Sequence, residues 1–157
     1  MVRHSKTQGL TLVELIVVIS IFIFIFAFSS LVFGDVIGRN SLRYYGYRLI
    51  QDIRETRMTA IAKNDSSWGI YFDDLSSPDR YILFRGNTYS SRDVSYDRVQ
   101  ELPQSVHFER ISLDGAREIS FSGSEGTPNR SGVIVMNSDT REFNLSINSL
   151  GLAEYQF

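Results

Sequence analysis

The chain has 157 residues, a net charge of −2 and 43% hydrophobic residues, a composition that excludes an intrinsically disordered chain. It has no cysteine, which excludes disulfide bonds, zinc–thiolate sites and cysteine nucleophiles. Its length allows one domain of modest size with an appended segment. The apolar residues are concentrated near the N-terminus, where the first predicted element lies.

That first element is predicted to be a transmembrane helix. Residues 15–33 include no charged side chain, and extension of the run to Gly34 gives 20 residues. A helix of this length is about 30 Å long, which matches the hydrocarbon core of a bilayer. A buried core helix is the weaker alternative, because a domain of this size could not surround a helix that is apolar on every face. The basic residues within 1–9 predict a cytoplasmic N-terminus.

A glycine and a glutamate mark the start of this helix, in the sequence GLTLVE at residues 9–14. This motif, placed after a basic leader and before a long apolar run, resembles the signal of type IV pilins and type II secretion pseudopilins. The resemblance implies that a prepilin peptidase cuts after Gly9 and methylates the new N-terminus at Leu10. It also implies that Glu14 pairs with the N-terminal amine of a neighbouring subunit.

The physical chemistry of a membrane carboxylate agrees with such a role for Glu14. A carboxylate inside a transmembrane helix costs a few kcal/mol, so a partner is expected. An ion pair in a low dielectric is strong when complete and costly when half-made, which would fix the axial offset between subunits. The alternative is a glutamate that reaches the headgroups by snorkelling. Many family members have a helix-breaking proline in the second half of this segment, whereas residues 28–34 contain none.

Beyond Gly34 the sequence becomes amphipathic. Apolar residues recur at steps of three or four between positions 42 and 61, which is typical of a helix with one buried face. The pattern predicts a second helical stretch over residues 35–64 that continues the first and ends near Lys63. Its apolar face must be covered by the residues that follow.

The same stretch is basic, whereas the remainder of the chain is acidic. Residues 39–63 hold six basic and two acidic residues, and residues 64–157 hold eight basic and fourteen acidic residues. The simplest interpretation is a solvated helix face, and contact with an acidic surface of a neighbouring subunit is another. A nucleic-acid surface is a further alternative. Its candidate contacts are Arg39, Arg43, Arg48 and Arg130.

From residue 65 onward the periodicity predicts strands. Short aromatic and β-branched runs indicate strands at 68–72, 80–84, 118–121, 132–137 and 141–148. Residues 105–113 change face midway, which predicts a bulge or a bend. The polar residues 86–100 are expected to form a long loop with at most one edge strand. About seven strands after one helix predict an α+β fold, in which a long N-terminal helix packs against an antiparallel β-rich head.

The order of these elements is similar to that of the GspH/FimT-like minor pseudopilins. The stretches RETRMTAIAKNDSSWGIYF, ISFSGSEGTPNRSGVIVM and FNLSINSLGLAEY carry this resemblance, and the last includes a hairpin turn at 148–151. The resemblance implies a pilin-like fold and four segments. These are a cleaved leader at 1–9, a transmembrane and assembly helix at 10–34, an amphipathic extracytoplasmic helix at 35–64 and a globular head at 65–157.

No catalytic constellation is found in the sequence. His107 is the only histidine after the leader, and no nucleophile motif accompanies it. A calcium site at Asp73, Asp74 and Asp79 is an alternative that matches no defined calcium loop. The glycines of residues 122–132 do not form a phosphate-binding loop. The sequence therefore predicts a protein that is not an enzyme and that holds no cofactor or metal.

The sequence as a whole predicts a minor pilin or pseudopilin, a structural subunit of a type IV pilus-like filament. The expected partners are the prepilin peptidase, other pilins or pseudopilins, an inner-membrane assembly platform and the lipid bilayer. The expected location is the inner membrane, crossed once with the head on the outer side, and then the filament. A DNA-binding minor pilin of a natural-transformation pilus is the alternative, although the acidic head disfavours DNA as a partner. A third, weaker interpretation is a membrane-anchored protein that never polymerises.

Overall fold

The computed structural model describes residues 11–64, 66–138 and 141–156, with the backbone alone at 28–40 and 156. These residues form one long α-helix, α1, and eight β-strands, with a short 3-10 helix at Tyr89–Ser91. The elements are α1 at Leu12–Lys63, β1 at Trp68–Asp73, β2 at Arg80–Arg85, β3 at Asp93–Glu101, β4 at His107–Ser112, β5 at Glu118–Phe121, β6 at Gly132–Ser138, β7 at Arg141–Ile147 and β8 at Ala153–Gln156. The chain divides into two compact units, Met1–Val36 and Ile37–Phe157.

Local chemistry defines both ends of α1. At its start the backbone N–H of Glu14 donates to the hydroxyl of Thr11 at 3.3 Å, so Thr11 caps a donor that the helix leaves unpaired. At its end the N–H of Asn64 donates to the carbonyl of Ala60 at 3.0 Å. Asn64 has a φ of +50°, the left-handed conformation that commonly terminates a helix.

The predicted fold class is wrong in its transmembrane half. Within the described residues, no helix combines the length and the apolar character that crossing a membrane requires. The predicted single-pass location in the inner membrane is overturned by the same finding.

The second unit contains two four-stranded antiparallel sheets together with the C-terminal part of α1. The strand orders are β3-β2-β1-β5 and β4-β6-β7-β8. Side chains of α1 and of both sheets form a single buried cluster. The α1 members follow helical spacing, so they share one face of the helix. They are Leu42, Leu49, Ile50, Ile53 and Ala60.

Most strands lie where the sequence predicts them. The predictions for β1, β2, β5, β6 and β7 are confirmed within two residues at each end, and the bulge in β4 is confirmed by a register shift between Phe108 and Arg110. The one edge strand that the sequence allows within the polar segment 86–100 is present as β3, which occupies Asp93–Glu101 at the edge of its sheet and is the longest strand. Its residues are largely exposed on both faces, so the alternation that reveals a half-buried strand is missing.

Candidate functional site

The main candidate site is the exposed apolar segment of α1, which we define as residues 12–26. Every described side chain of residues 11–27 is exposed. Thirteen large apolar side chains lie in the segment, with exposed fractions from 41% at Val18 to 74% at Leu12. An isolated apolar side chain at a protein surface is ordinary, but a continuous apolar surface of this kind marks an interaction site.

The segment is apolar on every side and leaves few polar groups for a partner to hydrogen-bond. Its one serine, Ser20, donates its hydroxyl hydrogen to the carbonyl of Ile16 at 2.8 Å. This polar group is therefore satisfied within the helix. A shallow apolar groove beside it, lined also by Val17, Ile21 and Phe24, can receive side chains of a neighbouring helix.

Glu14 is the one charged side chain in the exposed apolar segment. Its side chain is exposed, and no ion pair joins it to another described residue. Thr11 and Glu14 have the Thr-x-x-Glu spacing of a capping box, and a carboxylate in the first turn also interacts favourably with the helix dipole. This spacing is visible in the sequence and is the signal that could reveal the cap formed by Thr11, which is absent from the sequence-based predictions.

The other predicted assembly residues lie outside the described part of the chain. The predicted cleavage site, Gly9 and Leu10, belongs to the undescribed residues 1–10. Cleavage after Gly9 and methylation of Leu10 therefore stay predictions from the sequence. The described helix begins two residues after Leu10, at Leu12.

The arginines predicted as nucleic-acid contacts have different surroundings. Arg43 is exposed on α1, and the side chain of Arg39 lies outside the described atoms. Arg48 donates from Nη2 to Oε1 of Gln100 at 2.7 Å and lies 4.0 Å from a carboxylate oxygen of Asp52. Nη1 of Arg130 lies 3.8 Å from a carboxylate oxygen of Glu118. No described contact joins these arginines to one another.

The aspartates considered for calcium are engaged by basic side chains instead. Nε of Arg80 donates to Oδ2 of Asp73 at 2.9 Å, and Nη1 of Arg117 lies 2.8 Å from Oδ1 of Asp74. Partial burial raises the pKa of the Asp73 carboxyl, but hydrogen bonds from Arg80 and a backbone N–H outweigh it and lower the pKa. Among the described residues, no three acidic or histidine side chains could hold a metal ion together.

Asp79 and His107 lie near each other without forming a catalytic arrangement. Oδ2 of Asp79 accepts a hydrogen bond from the buried backbone N–H of Phe108 at 2.7 Å. Its other oxygen, Oδ1, lies 3.8 Å from Nδ1 of His107. More than half of the His107 side chain is exposed. The contacts indicate that Asp79 holds β4 in place.

The exposed apolar segment and Glu14 are therefore the strongest candidate functional site in the described structure. The site consists of an apolar helix surface that is exposed over its whole described length and of one carboxylate near the start of the helix. Comparison with known proteins finds no matching family model, no matching curated protein and no matching solved structure.

Proposed function

We propose that the chain is a pilin-like structural subunit, a minor pilin or pseudopilin, that assembles with similar subunits through the exposed apolar segment. The observation that carries this proposal is the exposure of thirteen large apolar side chains within residues 12–26. Packing such segments against one another removes apolar surface from water, worth about 25 cal/mol per Å². Residues apolar on every side of the helix suit a filament core, where each helix has several neighbours.

Glu14 would fix the axial offset between the packed helices. Processing after Gly9 by a prepilin peptidase creates a positively charged amine at Leu10, and methylation keeps that charge. A carboxylate buried among apolar helices without a partner is costly, whereas one paired with an amine is much less so. The amine of a neighbouring subunit would therefore select one axial offset between helices.

The partners in this proposal follow from the assembly reaction. They are the prepilin peptidase, other pilins or pseudopilins and an assembly platform. The chain's role is structural, and no described group of side chains suggests catalysis. The DNA-binding alternative has no comparable support, because Arg48 and Arg130 lie beside Asp52 and Glu118 respectively.

Substitution of Glu14 by alanine is expected to prevent assembly while leaving the fold intact. Loss of one partner of a buried ion pair typically costs about 3–5 kcal/mol, so incorporation should fall by a factor on the order of 100 or more. Because the chain has no cysteine, a single Ser20→Cys change gives a crosslinking probe without background. The measurement is the fraction of crosslinked subunits in cells that express the assembly machinery.

Glu125→Ala is the matched control for this experiment, because Glu125 is an exposed carboxylate in the second unit. The control should crosslink as strongly as the chain that carries Ser20→Cys alone. Equal crosslinking of the Glu14 and Glu125 variants would refute the ion-pair role of Glu14. Absence of crosslinking in every variant, despite normal expression, would refute assembly through the exposed apolar segment.

A further inference from the structure

An apolar cavity lies in the second unit, where α1 meets the sheet that contains β1, β2 and β3. Its volume is about 260 Å³, and an apolar cavity of about 150 Å³ is already large enough for benzene. The side chains that line it include Thr56 and Thr59 of α1, Trp68 of β1, Leu83 of β2 and Tyr96 of β3. The walls are therefore mainly apolar, as they are in sites that bind small molecules.

Trp68 contributes a buried hydrogen-bond donor without a partner. Its indole nitrogen is shielded from solvent, and no acceptor for its N–H lies among the described residues. Most buried polar groups in folded proteins are hydrogen-bonded, so each exception calls for an explanation. An acceptor on a molecule bound in the cavity would pair with this N–H and supply the missing bond.

Tyr96 can move aside to bring a ligand to the indole. Its ring meets that of Trp68 edge to face, with the ring centroids 5.6 Å apart. The side chain is 43% exposed, and its hydroxyl makes no hydrogen bond to another described residue. The guanidinium of Arg85 lies 4.8 Å from the ring centroid, in a cation–π contact that is weak near a protein surface. Outward rotation of Tyr96 therefore breaks only weak contacts and uncovers the indole.

The charged side chains beside the cavity neutralise each other. Nη1 of Arg98 lies 2.7 Å from Oε1 of Glu55, and both residues also line the cavity. The Thr56 hydroxyl donates its hydrogen to the carbonyl of Asp52 at 2.6 Å, so this hydrogen is already used. The cavity therefore offers an ionic ligand no unpaired opposite charge, and the burial of an unpaired charge is costly. An uncharged ligand fits these surroundings.

We propose that this cavity binds a small neutral molecule with an apolar ring and one carbonyl group, which accepts a hydrogen bond from the indole N–H of Trp68. The volume of the cavity has room for the ring, its apolar walls favour the ring over water, and the unpaired donor favours the carbonyl group. The site lies within the second unit. It goes beyond the proposed assembly through residues 12–26, none of which it uses.

The single tryptophan makes the cavity directly observable. Trp68 is the only tryptophan in the chain, so its indole N–H gives one resonance in an NMR spectrum of the isotope-labelled full-length chain in detergent micelles. The probe is acetophenone, and its matched control is α-methylstyrene, which has a methylene group in place of the carbonyl oxygen. We expect acetophenone to shift the indole resonance saturably. It should leave the indole proton further downfield than α-methylstyrene does, because the two probes have nearly the same shape and only acetophenone accepts a hydrogen bond.

Two substitutions on α1 test whether the probe enters the cavity. Thr59→Phe adds bulk to the cavity wall and should weaken acetophenone binding about tenfold or more. Met58→Phe is the matched control, because Met58 is the neighbouring residue, is 60% exposed and does not line the cavity. This control should bind acetophenone as tightly as the unaltered chain does. Partition of the probe into micelles does not affect the comparison, since every variant is titrated in the same detergent.

Three outcomes would overturn the proposal. They are absence of a saturable shift with acetophenone, equal indole proton shifts with the two probes, and equal acetophenone affinity of the Thr59 and Met58 variants. The comparison of the two probes uses the unaltered chain, so it decides the matter even where Thr59→Phe fails to fold. None of these outcomes bears on assembly through residues 12–26, so the two proposals fail separately.

Discussion

Replacement of Gly132 by alanine is expected to destabilise the second unit more than any other single change considered. A Cβ atom at Gly132 would overlap the carbonyl oxygen of Ser112 and lie 2.9 Å from its carbonyl carbon. Both atoms belong to the backbone of β4, which is paired to β6, so neither can rotate away. The φ of +155° at Gly132 is also one that residues with side chains rarely adopt. The expected cost exceeds about 4 kcal/mol, against a typical total stability of about 5–15 kcal/mol.

Gly115→Ala measures the cost of the backbone conformation alone, without the steric overlap that adds to it at Gly132. Gly115 has a φ of +78°, but nothing lies within 4 Å of the position of its Cβ. This variant should lose only about 1–2 kcal/mol, the cost of a left-handed conformation. Urea unfolding followed by circular dichroism gives both values. Equal losses in the two variants would show that β4 and β6 do not approach as closely as the structure has them.

Removal of the Tyr81 hydroxyl is expected to have the second largest effect. Tyr81 is fully buried, and its hydroxyl donates to Oδ2 of the buried Asp52 at 2.5 Å. This bond connects β2 to α1 across the core. Tyr81→Phe leaves the carboxylate without that donor, at a cost of about 1.5–3 kcal/mol for a hydrogen bond to a charged group. The measurement is the free energy of unfolding in urea at neutral pH.

The same substitution should change how stability responds to alkaline pH. Burial raises the pKa of the Tyr81 hydroxyl, and the hydrogen bond to Asp52 raises it further. The unfolded chain ionises this group near pH 10, so its contribution is fully present below about pH 10 and is lost as the pH rises further. The loss is at most about 1.4 kcal/mol per pH unit. Tyr81→Phe should therefore flatten the decline in stability above about pH 10.

Tyr47→Phe is the control for the alkaline experiment, because the Tyr47 side chain is half-exposed. Its hydroxyl has no described hydrogen bond, so this variant should keep the steep decline of the unaltered chain. Identical pH profiles for Tyr81→Phe and the unaltered chain would contradict the buried bond between Tyr81 and Asp52.

The parts of the fold that the sequence predicts are those that local patterns determine. The strand β5 is a short aromatic and β-branched run before a loop rich in glycine, and it lies at the predicted residues Glu118–Phe121. Strand β6 is a continuous apolar run and lies in the middle of its sheet, between β4 and β7. The bulge in β4 follows from a change of face between Phe108 and Arg110.

Long-range contacts account for much of what the sequence does not predict. Strand β3 is held by Arg98 and Gln100, whose partners on α1 lie 43 and 52 residues away in the sequence. The bond from the N–H of Phe108 to Asp79 spans 29 residues. No local pattern specifies such pairs. The local pattern around β3 therefore favours a loop, and that around Asp79 makes this residue a candidate calcium ligand.

The candidate site combines a motif that is visible in the sequence with geometry that is not. The position of Glu14 near the start of an apolar helix is plain from the residues alone. The transmembrane prediction rested on hydropathy over residues 15–34, and the described helix does not meet the requirements of a membrane span. The extent of apolar exposure along residues 12–26 is a structural result, and it now carries the proposal of assembly.

The proposed pilin-like function is tested most directly by the mass of the N-terminus after co-expression with a prepilin peptidase. If the chain is a pilin-like subunit, residues 1–9 are removed and the chain begins with N-methylated Leu10. A Gly9→Val variant should stay uncut, because its larger side chain replaces the glycine at the cleavage site. A chain that still begins at Met1, begins at any residue other than Leu10, or lacks the methyl group would contradict the pilin-like assignment.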